Sequence, residues 1–159
     1  MNSEKPIKFI DKNKNSLLKD LQTLIHQPSI SAKNEGIKEC SVLVSKMLKK
    51  SGIKSEILRL GKNAAPLVYG EVKSKNNPNT TLLFYNHYDV QPVEPLELWD
   101  DPPFSGKIIG NKIFGRGASD DKGELITRIK AVESYLKTYG DVPCNVKFVI
   151  EGEEENGSE

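Results

Sequence analysis

Residues 145–159, NVKFVIEGEEENGSE, begin as a β-strand and end in a run of acids. Val146, Phe148 and Ile150 recur at every second position and so share one face of an extended chain, which is the pattern of a strand with one buried face. The acids therefore collect at the carboxyl end of that strand, the edge where layered α/β sheets bind ligands. Five like charges over nine residues indicate either a solvated turn or a cation site: Glu151, Glu153, Glu154, Glu155 and Glu159.

The composition excludes several classes of function. The 159 residues carry 23 Lys and Arg against 22 Asp and Glu, a net charge of +1 that provides no field for nucleic acid or an acidic membrane. A signal-peptide core and a membrane-length apolar run are both missing from the sequence, so we expect a cytoplasmic protein without a membrane partner. The spacing of Cys40 and Cys144 indicates neither a disulfide framework nor a cysteine zinc site.

The order of patterns around this strand is helix, helix, strands, helix, strand. Apolar residues recur at helical spacing over 16–26, 37–48 and 125–136. Short apolar runs separated by turn-forming residues predict strands over 55–60, 67–72, 80–86 and 145–150, with a hairpin over 107–115. This order predicts an α/β layered sandwich with a mixed, largely parallel sheet covered by helices.

A histidine and an aspartate follow one of the predicted strands, in the stretch FYNHYDVQP. His87 and Asp89 are two residues apart, so both side chains can point to one side of the extended chain. Asp89 could then accept the proton on one ring nitrogen while the other binds a metal. A capped strand end is the plainer interpretation of this pair taken alone.

A second motif, FGRGASDDKGE, leads from a glycine-rich turn into the third helix. A dinucleotide fingerprint would require a third glycine where Asp120 stands, so that interpretation fails. Ser119 or Asp120 could simply cap the helix. A helix N-terminus also stabilises an ionised carboxylate, so Asp120 could instead remain charged and bridge cations.

Three motifs in this order resemble the signature blocks of a known enzyme family: HYDVQP, WDDPPFSGKIIGNKIFGRGASDDKGE and EGEEENGSE. The family is that of the co-catalytic zinc aminoacyl hydrolases, which includes carnosinase-like dipeptidases, acetylornithine deacetylase, succinyl-diaminopimelate desuccinylase, aminoacylase and glutamate carboxypeptidases. The resemblance runs from about Thr81 to Glu159, with the two leading helices in the expected place. The form of the motifs is most similar to the dipeptidase branch.

The resemblance implies a role for each matching residue. His87 would bind one zinc, Asp89 would orient it, and Asp120 would bridge two metals from a cis Asp120–Asp121 peptide. The family pattern Glu-Glu-x-Gly-Ser, anchored on Gly157 and Ser158, makes Glu154 the general base and Glu155 the ligand of the other zinc. Glu151, Glu153 and Glu159 would then be exposed or supporting acids.

The function implied by the resemblance is zinc-dependent hydrolysis of the amide bond of dipeptides or small peptides. Cobalt or manganese could replace the two zinc ions. Residues 1–159 would be the N-terminal part of the catalytic domain, with further ligands and a lid and dimerisation domain lying elsewhere in a homodimeric full-length protein. Because three protein ligands are few for two metals, the isolated chain should bind zinc weakly and show little activity.

Two alternatives stay open at the level of the sequence. An N-acyl amino-acid deacylase of the same family would use the same metal chemistry on a different substrate. A non-catalytic α/β module with a solvated acidic tail would need no metal.

Overall fold

The computed structural model describes residues 1–158. Its helices and strands are α1 Glu4–His26, α2 Ile37–Lys50, β1 Lys54–Leu58, β2 Leu67–Val72, β3 Thr81–His87, β4 Lys107–Ile109, β5 Lys112–Phe114, α3 Lys122–Tyr139 and β6 Asn145–Glu151. Three short 3-10 helices are also present, at Ser31–Lys33, Leu96–Leu98 and Glu154–Asn156.

Four strands form one sheet in the order β1-β2-β6-β3, and β4 and β5 form a separate hairpin. β1 pairs with β2 and β2 with β6 in antiparallel orientation, whereas β3 runs parallel to β6. The predicted α/β class with a mixed sheet is confirmed. The expectation of a largely parallel sheet needs correction, because two of the three pairings in the described part of the sheet are antiparallel.

The helices cover one face of this sheet. Buried residues of β2 and β6 lie opposite one another in the register, with Val68 beside Ile150 and Val72 beside Val146. They form one core with the apolar stripes of α2 and α3, for example Leu48 and Ile129. This packing confirms the predicted helical covering layer.

The first helix is longer than the sequence pattern predicts. The apolar stripe indicates a start near Ser16, but α1 begins at Glu4. Pro6 lies within the first turn of the helix, where its missing N–H is not needed, and its side chain is buried. Over residues 1–158, the helices are either too short or too polar to cross a membrane.

Tyr88 directly follows β3, and its ring packs in the core against Gly152, which directly follows β6. Its side chain is fully buried, and its hydroxyl donates a hydrogen bond to the Pro66 carbonyl oxygen, 2.6 Å away. The backbone of Gly152 lies directly against the ring, because a Cβ atom at position 152 would lie 2.2 Å from the Tyr88 hydroxyl oxygen and 2.3 Å from Cζ. The sequence after β6 therefore requires glycine at 152.

We predict that Gly152→Ala lowers the free energy of unfolding by about 2–3 kcal/mol, since a methyl group would overpack a buried ring. Urea denaturation monitored by circular dichroism measures this loss. Gly61→Ala is the matched control, because its added Cβ would meet nothing closer than 3.5 Å and should change stability by about 0.5 kcal/mol or less. Equal stability of the two variants would contradict the contact.

Candidate metal centre

Three predicted ligands from distant parts of the chain converge at one sheet edge. His87 ends β3, Asp120 precedes α3, and Glu155 lies in the 3-10 helix Glu154–Asn156, which we call the glutamate turn. Each offers one ligand atom, and these atoms lie within 4.8 Å of one another. The parallel register of β3 and β6 places His87 beside Glu151, so both strands end at the same edge and the glutamate turn follows at once.

The His87 ring is held between two aspartates. Its Nδ1 lies 3.1 Å from the Asp89 carbonyl oxygen and 3.3 Å from the Asp89 carboxylate oxygen Oδ1. Its Nε2 lies 3.0 Å from Asp120 Oδ1. In the protonated imidazolium, Nδ1–H donates to Asp89 and Nε2–H donates to Asp120. The Asp89 contact predicted from the sequence is present in the structure.

The buried carboxylate of Asp89 also fixes the glutamate turn. Its Oδ1 accepts a hydrogen bond from the Glu154 N–H at 3.2 Å, and its Oδ2 accepts one from the Glu155 N–H at 3.0 Å. Burial by itself would raise the pKa of Asp89, but hydrogen bonds from His87 and from the Glu155 N–H outweigh it and the pKa is lowered. An ionised Asp89 therefore connects the imidazole to the backbone of the turn.

The Asp120–Asp121 peptide is cis, as the resemblance implies. The Asp121 carboxylate is buried, and its Oδ2 accepts hydrogen bonds from the Asn86 side-chain amide at 2.6 Å and from the His87 N–H at 3.0 Å. The next residue, Lys122, is fully buried and donates to the Leu24 and Gln27 carbonyl oxygens at the end of α1. These contacts fix both sides of the turn that carries Asp120.

Glu154, the predicted general base, lies beside the convergent trio. Its Oε2 is 3.8 Å from His87 Nε2, and its side chain is 43% exposed. A solvated carboxylate at this place can exchange protons with water while staying next to the ligand atoms.

The other acids of the tail have separate partners. Glu151 accepts hydrogen bonds from the Tyr85 and Ser158 hydroxyl groups, and Glu153 accepts one from the Ala65 N–H. Glu159 lies outside the described residues. Of the described acids of the tail, Glu154 and Glu155 therefore lie at the candidate metal centre, whereas Glu151 and Glu153 make local structural hydrogen bonds.

Two residues at this edge were not assigned roles from the sequence. Gln91 donates from Nε2 to Glu155 Oε2 at 2.8 Å and to the Glu155 carbonyl oxygen at 3.0 Å. The alternation His87, Asp89, Gln91 is a period of two that could have indicated it. Asp121 could have been noticed only as the neighbour of Asp120, because its partners come from β3.

The donor set suits a divalent metal. One imidazole nitrogen and two carboxylate oxygens are ligands that zinc accepts, and a carboxylate supporting the histidine is the usual arrangement around such sites. His26, the second histidine, lies elsewhere, with its Nε2 2.8 Å from the Ser105 carbonyl oxygen.

Comparison with known proteins shows which family the chain resembles. Residues 83–159 match the profile of "Peptidase family M20/M25/M40". The matched region contains every residue of the cluster and of its supporting contacts from Asn86 to Glu155. The match covers the part of the chain that carries the site, so residues 83–159 belong to a domain of this peptidase family.

Several individual proteins of known sequence or structure are similar to this chain. The chain is 35% identical to the "Cys-Gly metallodipeptidase dug1" of Schizosaccharomyces pombe over 173 residues, covering 100% of this chain and 36% of the relative. It is 33% identical to the succinyl-diaminopimelate desuccinylase of Blochmanniella pennsylvanica over 143 residues, covering 90% and 36%. The crystal structure of human carnosine dipeptidase 1 superimposes with a TM-score of 0.85 at 28% identity, covering 98% and 35%. The chain thus spans about a third of the length of these relatives.

The pKa of His87 gives a pH-dependent prediction for the metal-free chain. Burial alone would lower this pKa, but the hydrogen bond to Asp89, the nearby carboxylates and the contact with Asp120 raise it from 6.5 to about 9. A raised histidine pKa means that the folded state binds the proton more tightly than the unfolded state. The resulting stabilisation is fully present below about pH 6.5 and is lost as the pH rises through about 9.

We therefore expect the free energy of unfolding of the metal-free chain to fall between pH 6.5 and 9, as measured by urea denaturation at a series of pH values. His87→Gln should flatten the curve over this range. His26→Gln should leave it unchanged, since that imidazole lies outside the cluster. If the free energy of unfolding of His87→Gln fell with pH as steeply as that of the parent chain, the pH dependence could not be assigned to His87.

Proposed function

We propose that this chain carries part of the active site of a zinc-dependent metallodipeptidase, which hydrolyses the amide bond of dipeptides or small peptides. The observation that supports this most directly is the convergence of His87, Asp120 and Glu155, three residues far apart in sequence, within 4.8 Å. Family membership and the similarity to a metallodipeptidase support the same reaction class.

His87, Asp120 and Glu155 are the residues that would hold the metal. When bound, a pair of zinc ions lowers the pKa of water toward neutrality and polarises the scissile carbonyl, and cobalt or manganese could serve in their place. Asp120 would contribute to both ions, and the second ion would need ligands in addition to these three. Asp89, beside Nδ1, would keep the His87 ring in the tautomer that leaves Nε2 for the metal.

Glu154 would act as the general base. It lies within 3.8 Å of His87 Nε2, close to the ligand atoms without being one of the convergent trio. Its carboxylate can take a proton from the attacking water and deliver it to the leaving amine. The Asp89 hydrogen bond to the Glu154 N–H fixes the backbone from which that side chain extends.

The proposal extends to the full-length enzyme, of which this chain would be one part. Residues 1–159 would be the N-terminal portion of a catalytic domain, completed by further polypeptide and by a dimerisation domain. The exposed apolar side chains of Leu83 and Tyr85, on the edge strand β3, are consistent with such a completion. We place the homodimer in the cytoplasm, acting on small substrates without nucleic acid or membrane.

A second candidate function is removal of an acyl group from an N-acyl amino acid. The similarity to a succinyl-diaminopimelate desuccinylase favours it, and the same residues would carry the chemistry. A panel that pairs dipeptides with N-succinyl and N-acetyl amino acids separates the two activities, since the metallodipeptidase should prefer the dipeptides.

We predict that zinc binds to this chain weakly and saturably, and that His87→Ala lowers its affinity by at least about tenfold, because one ligand of the trio is lost. Competition with a fluorescent zinc indicator measures both values. His26→Ala is the control and should bind zinc like the parent chain. Failure of zinc to bind, or equal binding to His87→Ala, would contradict the candidate metal centre and favour a solvated acidic tail.

We further predict that Glu154→Gln, introduced into the full-length enzyme, keeps its zinc but lowers kcat for dipeptide hydrolysis by at least about a hundredfold, because a carboxamide cannot accept the proton. Metal content and turnover are measured on the same preparation. Glu97→Gln, on a 3-10 helix outside the cluster, should retain full turnover. Normal turnover of Glu154→Gln would refute its role as the base.

A further inference from the structure

A cavity of about 610 Å³ lies on the other side of the glutamate turn from the candidate metal centre. Its walls are the segment from Ser31 to Asn34, the N-terminal part of α2, the loop between β1 and β2, and the chain from Gly152 through the glutamate turn. The side chains that matter here are Lys38, Arg59, Lys62, Glu153 and Asn156, and we call the space they line the basic cavity. Its volume is in the range of pockets that hold small molecules.

The basic cavity has an excess of positive charge. Lys38, Arg59 and Lys62 all line it, and within residues 1–158 none of them forms an ion pair. The one carboxylate in the lining is that of Glu153, whose Oε2 accepts a hydrogen bond from the Ala65 N–H at 3.1 Å. Three cations in a concave surface attract anions, and the field is stronger there than on a convex surface.

The basic cavity and the candidate metal centre share one short segment of chain, residues 153–156. Residues three apart in a 3-10 turn lie on the same side, so Glu153 and Asn156 face the basic cavity while Glu154 lies beside His87. The loop from β1 to β2 is bound to this turn through the Ala65–Glu153 hydrogen bond and to Tyr88 through the Pro66 carbonyl oxygen. A ligand in the cavity would therefore contact the segment that carries Glu154 and Glu155.

We propose that the basic cavity binds a small molecule bearing a carboxylate group. Arg59 offers a planar pair of donors that matches a carboxylate, and Lys38, on α2, and Lys62, in the loop between β1 and β2, add point charges. Asn156 supplies an uncharged amide at the wall formed by the turn. The carboxylate can belong to a peptide or to a free dicarboxylate, and both present the same group to the three cations.

Titration of succinate into the metal-free chain at low ionic strength, followed by NMR of the backbone amides, tests this site. We expect one saturable site with a Kd on the order of 1 mM or below, with shifts in 59–66 and in the glutamate turn. The double variant Arg59→Gln, Lys62→Gln should weaken binding by about tenfold or more. Added salt should weaken it as well, because exposed charges are screened.

Two controls distinguish specific binding of succinate in the basic cavity from its non-specific attraction to lysine side chains. Lys112→Gln removes an exposed cation of the β4–β5 hairpin and should bind succinate like the parent chain. Succinamide, the uncharged analogue, should not bind. Absence of saturation, equal weakening in Lys112→Gln, or binding of succinamide as tight as that of succinate would overturn the proposal.

A competition experiment identifies the source of the carboxylate. Displacement of succinate by glycylglycine, but not by its C-terminal amide, would support a peptide carboxylate as the ligand. Succinate binding without competition from glycylglycine would support a free dicarboxylate. The titration contains no metal and measures no turnover, so its failure would leave the metallodipeptidase proposal intact, and the reverse also holds.

Discussion

The parallel pairing of β3 with β6 is the constraint on which the candidate site depends. The two strands end together, with His87 opposite Glu151, and the Tyr88 N–H extends the pairing by donating to the Glu151 carbonyl oxygen at 2.9 Å. Asp89 then accepts hydrogen bonds from the backbone of the glutamate turn. A slip of one residue between these strands would turn the imidazole to the opposite face of the sheet.

This arrangement concentrates negative charge around one imidazole. Asp89, Asp120 and Glu154 all lie within 4 Å of the His87 ring, and Glu155 offers a ligand atom within 4.8 Å of the others. In the absence of metal, a protonated His87 is the one partner these carboxylates share, which is the physical reason its pKa is raised. A divalent cation would compensate more of this charge than a proton does, so metal binding should compete with protonation of His87.

Much of the fold could be predicted from the sequence, because its signals are local. The strand Leu67–Val72 and the start of β6 at Asn145 lie where alternation and turn residues indicate them. The orientation of the pairs could not be obtained in this way, since β2 meets β6 across more than seventy intervening residues. The early start of α1 was missed because the polar run 11–16, DKNKNS, separates Ile7 and Ile10 from the apolar stripe that begins at Leu17.

The candidate site was predicted by a different route. Strand ends and a helix start indicated His87, Asp89 and Asp120, and the Gly157–Ser158 anchor of the family pattern selected Glu154 and Glu155 from five acids. The structure brings these residues together at one edge. The sequence did not predict the roles of Asp121 and Gln91 or the existence of the basic cavity. All three depend on contacts between segments that are distant along the chain.

The most direct test of the account is the position of a bound metal. Crystals of the chain soaked in zinc and measured at the zinc absorption edge should give an anomalous peak bonded to His87 Nε2 and to carboxylate oxygens of Asp120 and Glu155. A zinc peak bonded to other residues, with these three side chains pointing to solvent, would contradict it.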